Sequence, residues 1–288
     1  MKISTEISSA ARIVGEERAV EYIAKAGFDA WDFSMFSMCN YDWPANKLLP
    51  NEHPLAGNDY LSFAGKLKKI GEDNGITCNQ SHAPFPSRSA EIRSYYKRAI
   101  ECTAEAGGEI CVIHPDTDKS PEVNGEMYLE LLPFAKSCGV KIATENMWDW
   151  DSVKDESSFA ACATAESFNA HLDAVNDNFF VACLDIGHAE MRGSGTGAVD
   201  MIKKLGERLK ALHIHDNDRW HDLHQIPFSA SIDFDAVVGA LKEINYDGYF
   251  TLEADRFLEK YCEENVFDGI KEMAASARKL ADMFEREL

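Results

Sequence analysis

Residues 179–188 read Phe179-Phe180-Val181-Ala182-Cys183-Leu184-Asp185-Ile186-Gly187-His188. Six apolar residues in a row are the length of one strand buried on both faces, and the run ends in an acid followed by a histidine. Upstream, Val140–Glu145 is a second apolar run ending in an acid, and Ser158–Val175 between them has helical periodicity. Downstream, Ala198–Leu205 reads as a helix and Leu209–His215 as a strand. The same alternation continues outward in both directions. Strands are predicted at Lys2–Ile7, Ala30–Phe36, Ile76–His82, Glu109–His114 and Tyr249–Glu253. Helices are predicted at Glu16–Ala26, Asp59–Asn74, Ser89–Ala106, Gly125–Cys138 and Phe234–Ile244, and a mostly helical tail follows to Leu288. A long Asn- and Pro-rich loop is expected from residue 37 to about residue 58. Glycine closes several of the helices. Strict alternation of strand and helix implies a parallel sheet. Eight such units in 288 residues predict an α/β fold, a closed (β/α)8 TIM barrel, with a doubly wound sheet as the alternative. No internal repeat, low-complexity tract or linker divides the chain, so residues 1–288 are expected to form one domain.

The strand ends carry the chemistry. The third ends in His82, the fourth in His114 and the fifth in Glu145. The sixth ends in Asp185 and then His188, the seventh in His213-Ile-His215-Asp216, the eighth in Glu253-Ala-Asp255. In a barrel these ends converge on the face where the loops build the active site. Several acids and imidazoles meeting there are best explained by a cation between them, since unpaired buried carboxylates are costly. A mixed oxygen and nitrogen set suits manganese, zinc, cobalt or magnesium. The alternative is an ion-pair network with rim arginines, for which Arg192, Arg219 and Arg256 are the candidates. Strand parity does not choose between His213 and His215, because both face the same way. Trp43, Trp148, Trp150 and Trp220 follow strand ends and are expected around the mouth, for sugar stacking or for packing. Gly193-Ser-Gly-Thr-Gly197 lacks a phosphate-binding lysine and reads as a flexible turn.

Composition narrows the partners. Lys and Arg number 29 against 49 Asp and Glu, a net charge of −20. Such a surface repels phosphate backbones and anionic lipid, so no nucleic-acid partner is expected. No run of 18 apolar residues is present, so no membrane span is expected. The eight cysteines form no C-x-x-C pair, and Met1-Lys2-Ile3-Ser4-Thr5-Glu6 lacks an apolar signal region. A reducing, cytoplasmic location is therefore expected. Homo-oligomerisation is left open.

Taken together, these strand ends resemble the xylose-isomerase-like TIM-barrel superfamily, which joins sugar isomerases and epimerases with endonuclease-IV-type enzymes. The resemblance covers nearly the whole chain. It implies a divalent metal held by Glu145, Asp185, His213 and Glu253, one ligand per βα unit. His213 is selected because it lies three residues before Asp216. Glu145 and Glu253 would be the catalytic pair. They would move a proton through a metal-stabilised enediolate of a sugar or sugar phosphate. His188, Arg219 and Trp148 would contact that substrate. The endonuclease-IV branch adds further metal ligands, which match His82, His114, His188, Asp222 and His224 here, so more than one ion is possible. A trinuclear-zinc phosphodiesterase, or an inositol-pathway dehydratase of the same superfamily, is the alternative.

Overall fold

A computed structural model describes residues 1–286. Eight parallel strands form a ring. They are β1 (Ile3–Thr5), β2 (Ala30–Ser34), β3 (Thr77–His82), β4 (Ile110–Val112), β5 (Lys141–Glu145), β6 (Phe180–Asp185), β7 (Leu209–His213) and β8 (Phe250–Leu252). Strands β2 to β7 make one continuous sheet in chain order, and β8 pairs with β1. Two short contacts close the ring. Ile7 N donates to Asp32 O at 3.2 Å between β1 and β2, and Ile214 N donates to Thr251 O at 2.9 Å between β7 and β8. The expected TIM barrel is therefore the observed one.

The interior differs from one half of the ring to the other. Val112, Ala143, Val181, Cys183 and Ala211, from β4 to β7, form a small buried apolar cluster. Opposite them is a polar network. Ser4 Oγ donates to Asn79 Oδ1 at 2.6 Å, Asn79 Nδ2 to Thr251 Oγ1 at 3.1 Å, and Gln80 Nε2 to Asp32 Oδ2 at 2.9 Å. Alternation then decides the upper layer. Two residues above Ala143 stands Glu145, two above Cys183 stands Asp185, and two above Ala211 stands His213. The larger apolar core lies between the strands and the surrounding helices, and includes Trp31, Phe33, Phe168 and Phe250.

Several local expectations are corrected. The helix expected from Gly125 begins at Pro121, because Ser120 caps it and proline fits the first turn. The helix expected from Ser158 begins at Ala165, capped by the Thr164 side chain, while Glu156–Ser158 is a strand. The helix over 89–106 is broken into Ala90–Arg93 and Tyr96–Ala106. A short helix, Ser8–Val14, follows β1 where none was expected. The long loop after β2 contains an antiparallel hairpin, Asn40–Asp42 with Lys47–Leu49. A second hairpin, Asp149–Asp151 with Glu156–Ser158, follows β5. No helix among the described residues is long and apolar enough to cross a membrane.

Candidate metal centre

The donor atoms of Glu145, Asp185, His213 and Glu253 all lie within 4.8 Å of one another. His213 Nδ1 is 3.0 Å from Glu145 Oε1 and 3.4 Å from Glu253 Oε2. All four residues are buried. Two more groups adjoin this one. His82 and His114 meet Glu145 from the other side, with Nε2 atoms 3.4 and 3.1 Å from its Oε2. His188, His215, Asp222 and His224 form the other group, again with donor atoms within 4.8 Å. His215 Nε2 lies 3.2 Å from Asp185 Oδ1 and 3.3 Å from Asp222 Oδ1. Glu145 and Asp185 thus each stand between two groups.

The resemblance selects His213 over His215, and the structure brings each of the two histidines into a cluster of its own. Residues two apart on a strand share a face about 6.6 Å apart along it, so one strand serves two adjacent clusters. Gly187 makes room for His215. A Cβ there would fall 1.9 Å from His215 Cε1, so any side chain at 187 would displace the ring. Asn146 was not anticipated. It clamps the ends of β5 and β6 together, since its Nδ2 donates to Asp185 O at 2.9 Å and its Oδ1 accepts from Asp185 N at 2.8 Å. Asp185 in turn caps the short helix Ile186–Glu190 by accepting from His188 N at 2.7 Å. Backbone carbonyls orient three imidazoles. His82 Nδ1 lies 3.0 Å from Ala83 O, His188 Nδ1 3.0 Å from Asn146 O, and His224 Nδ1 2.7 Å from Glu253 O. A donor Nδ1–H in each turns Nε2 toward the cluster, where a bound cation would take the place of its proton.

The donor set fits a cation. Asp185 Oδ2, His215 Nε2 and Asp222 Oδ1 are buried without a well-directed hydrogen bond. Orphaned lone pairs of this kind are rare in folded proteins and are satisfied when they converge on a metal. The electrostatics agree. Burial opposes a charge on His188, yet Asp185 and Asp222 outweigh it and push the imidazole up to about 10. Burial pushes His114 down to about 4, and the neighbouring His82 adds to it. Burial would raise Glu145, but His213, His114 and His82 hold it well below the usual carboxylate range. Burial and the nearby Glu145 and Asp185 charges push Glu253 well above that range, against the pull of His213.

Above the cluster opens a cavity of about 560 Å³. Glu145, Glu253, His82, His114, His188, Asp222 and His224 face it, as do Trp43, Trp148 and Trp150. Trp148 stands 6.4 Å from His188, centroid to centroid. Trp220 is placed elsewhere, under the Arg192 guanidinium at 4.6 Å. Arg219 is not on the cavity wall either. Its Nη2 pairs with Glu190 Oε2 at 3.2 Å. Neither Arg192 nor Arg256 lines the cavity, and among the described residues no arginine pairs with Glu145, Asp185 or Glu253; Arg88 stands on the wall, and Arg93 and Arg12 pair with Asp116 and Asp255 at its edge. The glycine run 193–197 also lies off the wall. Gly193 packs on the second hairpin, where a Cβ would meet Ser157 O at 2.1 Å.

Comparison with known proteins agrees with this architecture. An uncharacterised protein of Methanocaldococcus jannaschii is 26% identical over 271 residues, covering 88% of this chain and 80% of its own. The crystal structure of the IOLI protein with a bound zinc atom superposes with a TM-score of 0.74 at 18% identity, covering 99% of this chain and all of the other. A D-tagatose 3-epimerase-like protein superposes with a TM-score of 0.69 at 21% identity, covering 98% and 99% of the two chains. The profile described as xylose isomerase-like TIM barrel matches residues 20–283, and the chain belongs to that family.

Proposed function

We propose that this protein is a divalent-metal-dependent sugar isomerase or epimerase acting on a small-molecule sugar. The observation that carries the reading is the pair Glu145 and Glu253. Both face the cavity, and both lie within 3.4 Å of His213 Nδ1, Glu145 at 3.0 Å and Glu253 at 3.4 Å. Two carboxyl groups on one cavity floor are the arrangement for one group that takes a proton and one that returns it. Glu145, Asp185, His213 and Glu253 would hold a manganese, zinc, cobalt or magnesium ion. A bound divalent ion supplies charge that polarises the substrate carbonyl and acidifies the neighbouring C–H. One glutamate takes the proton from the carbon next to the carbonyl. The other returns a proton, to the opposite face in an epimerase or to the neighbouring carbon in an isomerase. His188 presents Nε2 toward substrate hydroxyls, and Trp148 offers a flat face to the sugar C–H side. Arg219 joins them only if its pair with Glu190 opens.

His82, His114, His215, Asp222 and His224 would hold further ions, which favours a count above one per chain. Six acids and one arginine on the cavity wall disfavour a phosphodiester backbone as substrate. All eight cysteines are free and most are buried, which supports a reducing, cytoplasmic setting.

The test is solvent exchange. Protein loaded with Mn²⁺ is incubated with ketohexoses in D₂O, and deuterium is located by NMR. Incorporation at a carbon next to the carbonyl is expected. Glu145→Gln and Glu253→Gln should each lower kcat by about 10²-fold or more, the scale of general acid–base catalysis. Bound metal is measured alongside. Near wild-type turnover in both metal-loaded variants would reduce the two glutamates to ligands.

A further inference from the structure

We infer that the substrate is a neutral glycoside, a keto sugar carrying a second ring, and that this second ring lies in the aromatic mouth of the cavity. The inference rests on the sugar isomerase or epimerase reading and specifies its substrate class.

Size is the first argument. The cavity holds about 560 Å³. A hexose displaces on the order of six waters, roughly 180 Å³ at ~30 Å³ per water. One ring on the carboxylate and histidine floor therefore leaves more than half of the space unfilled.

The chemistry of the remaining wall is the second argument. Phe36, Trp43 and Phe85 line it from one group of loops, and Trp148 and Trp150 from another. Trp43 and Phe85 are 6.0 Å apart between centroids, Trp148 and Trp150 are 6.5 Å apart, and neither pair is stacked flat. Trp43 sits in the turn of the first hairpin and is 50% exposed. One face of Trp43 carries the Arg88 guanidinium and one face of Trp150 stacks on His221, 6.0 Å between centroids, so each indole has one face left for a flat ligand, and the C–H face of a pyranose fits it.

Charge is the third argument, and it separates a sugar from a sugar phosphate. Asp116, Asp149 and Asp255 stand on the wall beyond the floor, with Arg88 as the single cation. The Arg88 guanidinium lies over the Trp43 ring at 5.4 Å. Asp116 is already paired with Arg93 Nη2 at 3.5 Å and Asp255 with Arg12 Nη2 at 3.2 Å, which leaves Arg88 and Asp149 to balance, so a phosphate or carboxylate on the distal end would find no surplus cation. The hydroxyls of a neutral ring would find both carboxylate acceptors and guanidinium donors there.

The test is calorimetric titration of the Mn²⁺-loaded protein with fructose, fructose 6-phosphate and four ketose disaccharides: turanose, maltulose, isomaltulose and lactulose. Turanose carries the second ring at O3 of fructose, maltulose and lactulose carry it at O4, and isomaltulose at O6. At least one disaccharide is expected to bind tenfold or more tighter than fructose, and fructose 6-phosphate no tighter than fructose. Trp43→Ala and Trp150→Ala should each shrink the disaccharide-to-fructose ratio at least fivefold. Trp43→Phe, which keeps an aromatic face, should retain most of it. The inference is overturned if no disaccharide exceeds fructose tenfold, or if the phosphate ester binds most tightly. Deuterium exchange on the same probes separates the two levels. Exchange into fructose without disaccharide preference removes this inference alone. Absence of exchange from every probe removes the isomerase or epimerase reading.

Discussion

Glu6, one residue past β1, is 2% exposed and accepts from Ser9 N at 3.0 Å and from the Ser9 hydroxyl. Burial, reinforced by Asp255, pushes its carboxyl from the ordinary 4.5 up to about 7. The folded chain therefore holds this proton more tightly than the unfolded chain. That contribution is complete below pH 4.5 and is lost as pH rises through 7. Glu6→Gln removes the buried charge and keeps an acceptor for Ser9. It should stabilise the protein by on the order of 1–3 kcal/mol at pH 8, at about 1.4 kcal/mol per pH unit. It should change little near pH 4, and denaturant unfolding at the two pH values measures the difference. At the metal centre, Asp222→Ala with His224→Ala removes half of the group around His215 and leaves Glu145, Asp185, His213 and Glu253 intact. The double variant should lose metal by elemental analysis while sugar turnover stays within about tenfold, some 1.4 kcal/mol of barrier. Cleavage of abasic DNA by the wild type, abolished in this variant, would instead support the phosphodiesterase.

Two elements hold the site by close backbone approach. The helix Ile186–Glu190 presents Gly187 to His215, which has no exposed surface and no room to retreat. Gly187→Ala should therefore cost about 1–3 kcal/mol, the range for overpacking a filled interior. It should also lower metal content, because the displaced ring is a candidate ligand; melting temperature and elemental analysis report the two effects. The second hairpin is seated in a similar way. Ser157 Oγ donates to Arg192 O at 2.5 Å, and Gly193, at φ +93°, lies under Ser157 O. Gly193→Ala combines a left-handed backbone with a Cβ clash. The hairpin carries Trp150, so KM should rise severalfold with kcat little changed, which steady-state kinetics resolves.

Across the whole molecule, a cation would neutralise the densest concentration of buried charge in the barrel. Glu145, Asp185, His213 and Glu253 come from four successive βα units, and one ion among them would tie all four together. An ion that binds the folded chain and not the unfolded one stabilises it by mass action, about 2.7 kcal/mol at a concentration 100 times Kd. For a chain of this size each kcal/mol moves Tm by roughly 2–4 °C. Chelation should therefore lower Tm by about 5–10 °C relative to protein in excess Mn²⁺ or Zn²⁺. Equal melting curves with and without chelator would count against a metal at this centre.

The order of strands and the residues at their ends were legible in the chain because both are local. Apolar runs of six, glycine after a helix, and an acid at the end of a run are short-range patterns, and strict alternation left one closed topology for eight units. Their position at strand ends placed Glu145, Asp185 and His213 at one rim before any packing was known. The two hairpins were hidden because their strands are three residues long and polar on one face, and such segments form only when docked. The helix starts at Pro121 and Ala165 do have local signals, Ser120-Pro121 and Thr164. Three features had no local signature. His213 and His215 divide between two clusters because His215 lies over Gly187, a contact across strands. Asn146 reads as an ordinary loop residue until β6 is beside it. Arg219 turns to Glu190 and Arg88 reaches the wall because loop packing, not residue type, aims a long side chain. Short-range patterning therefore determined the fold and the chemistry at its rim. Long-range packing decided which donors share a cation and which side chains the cavity presents.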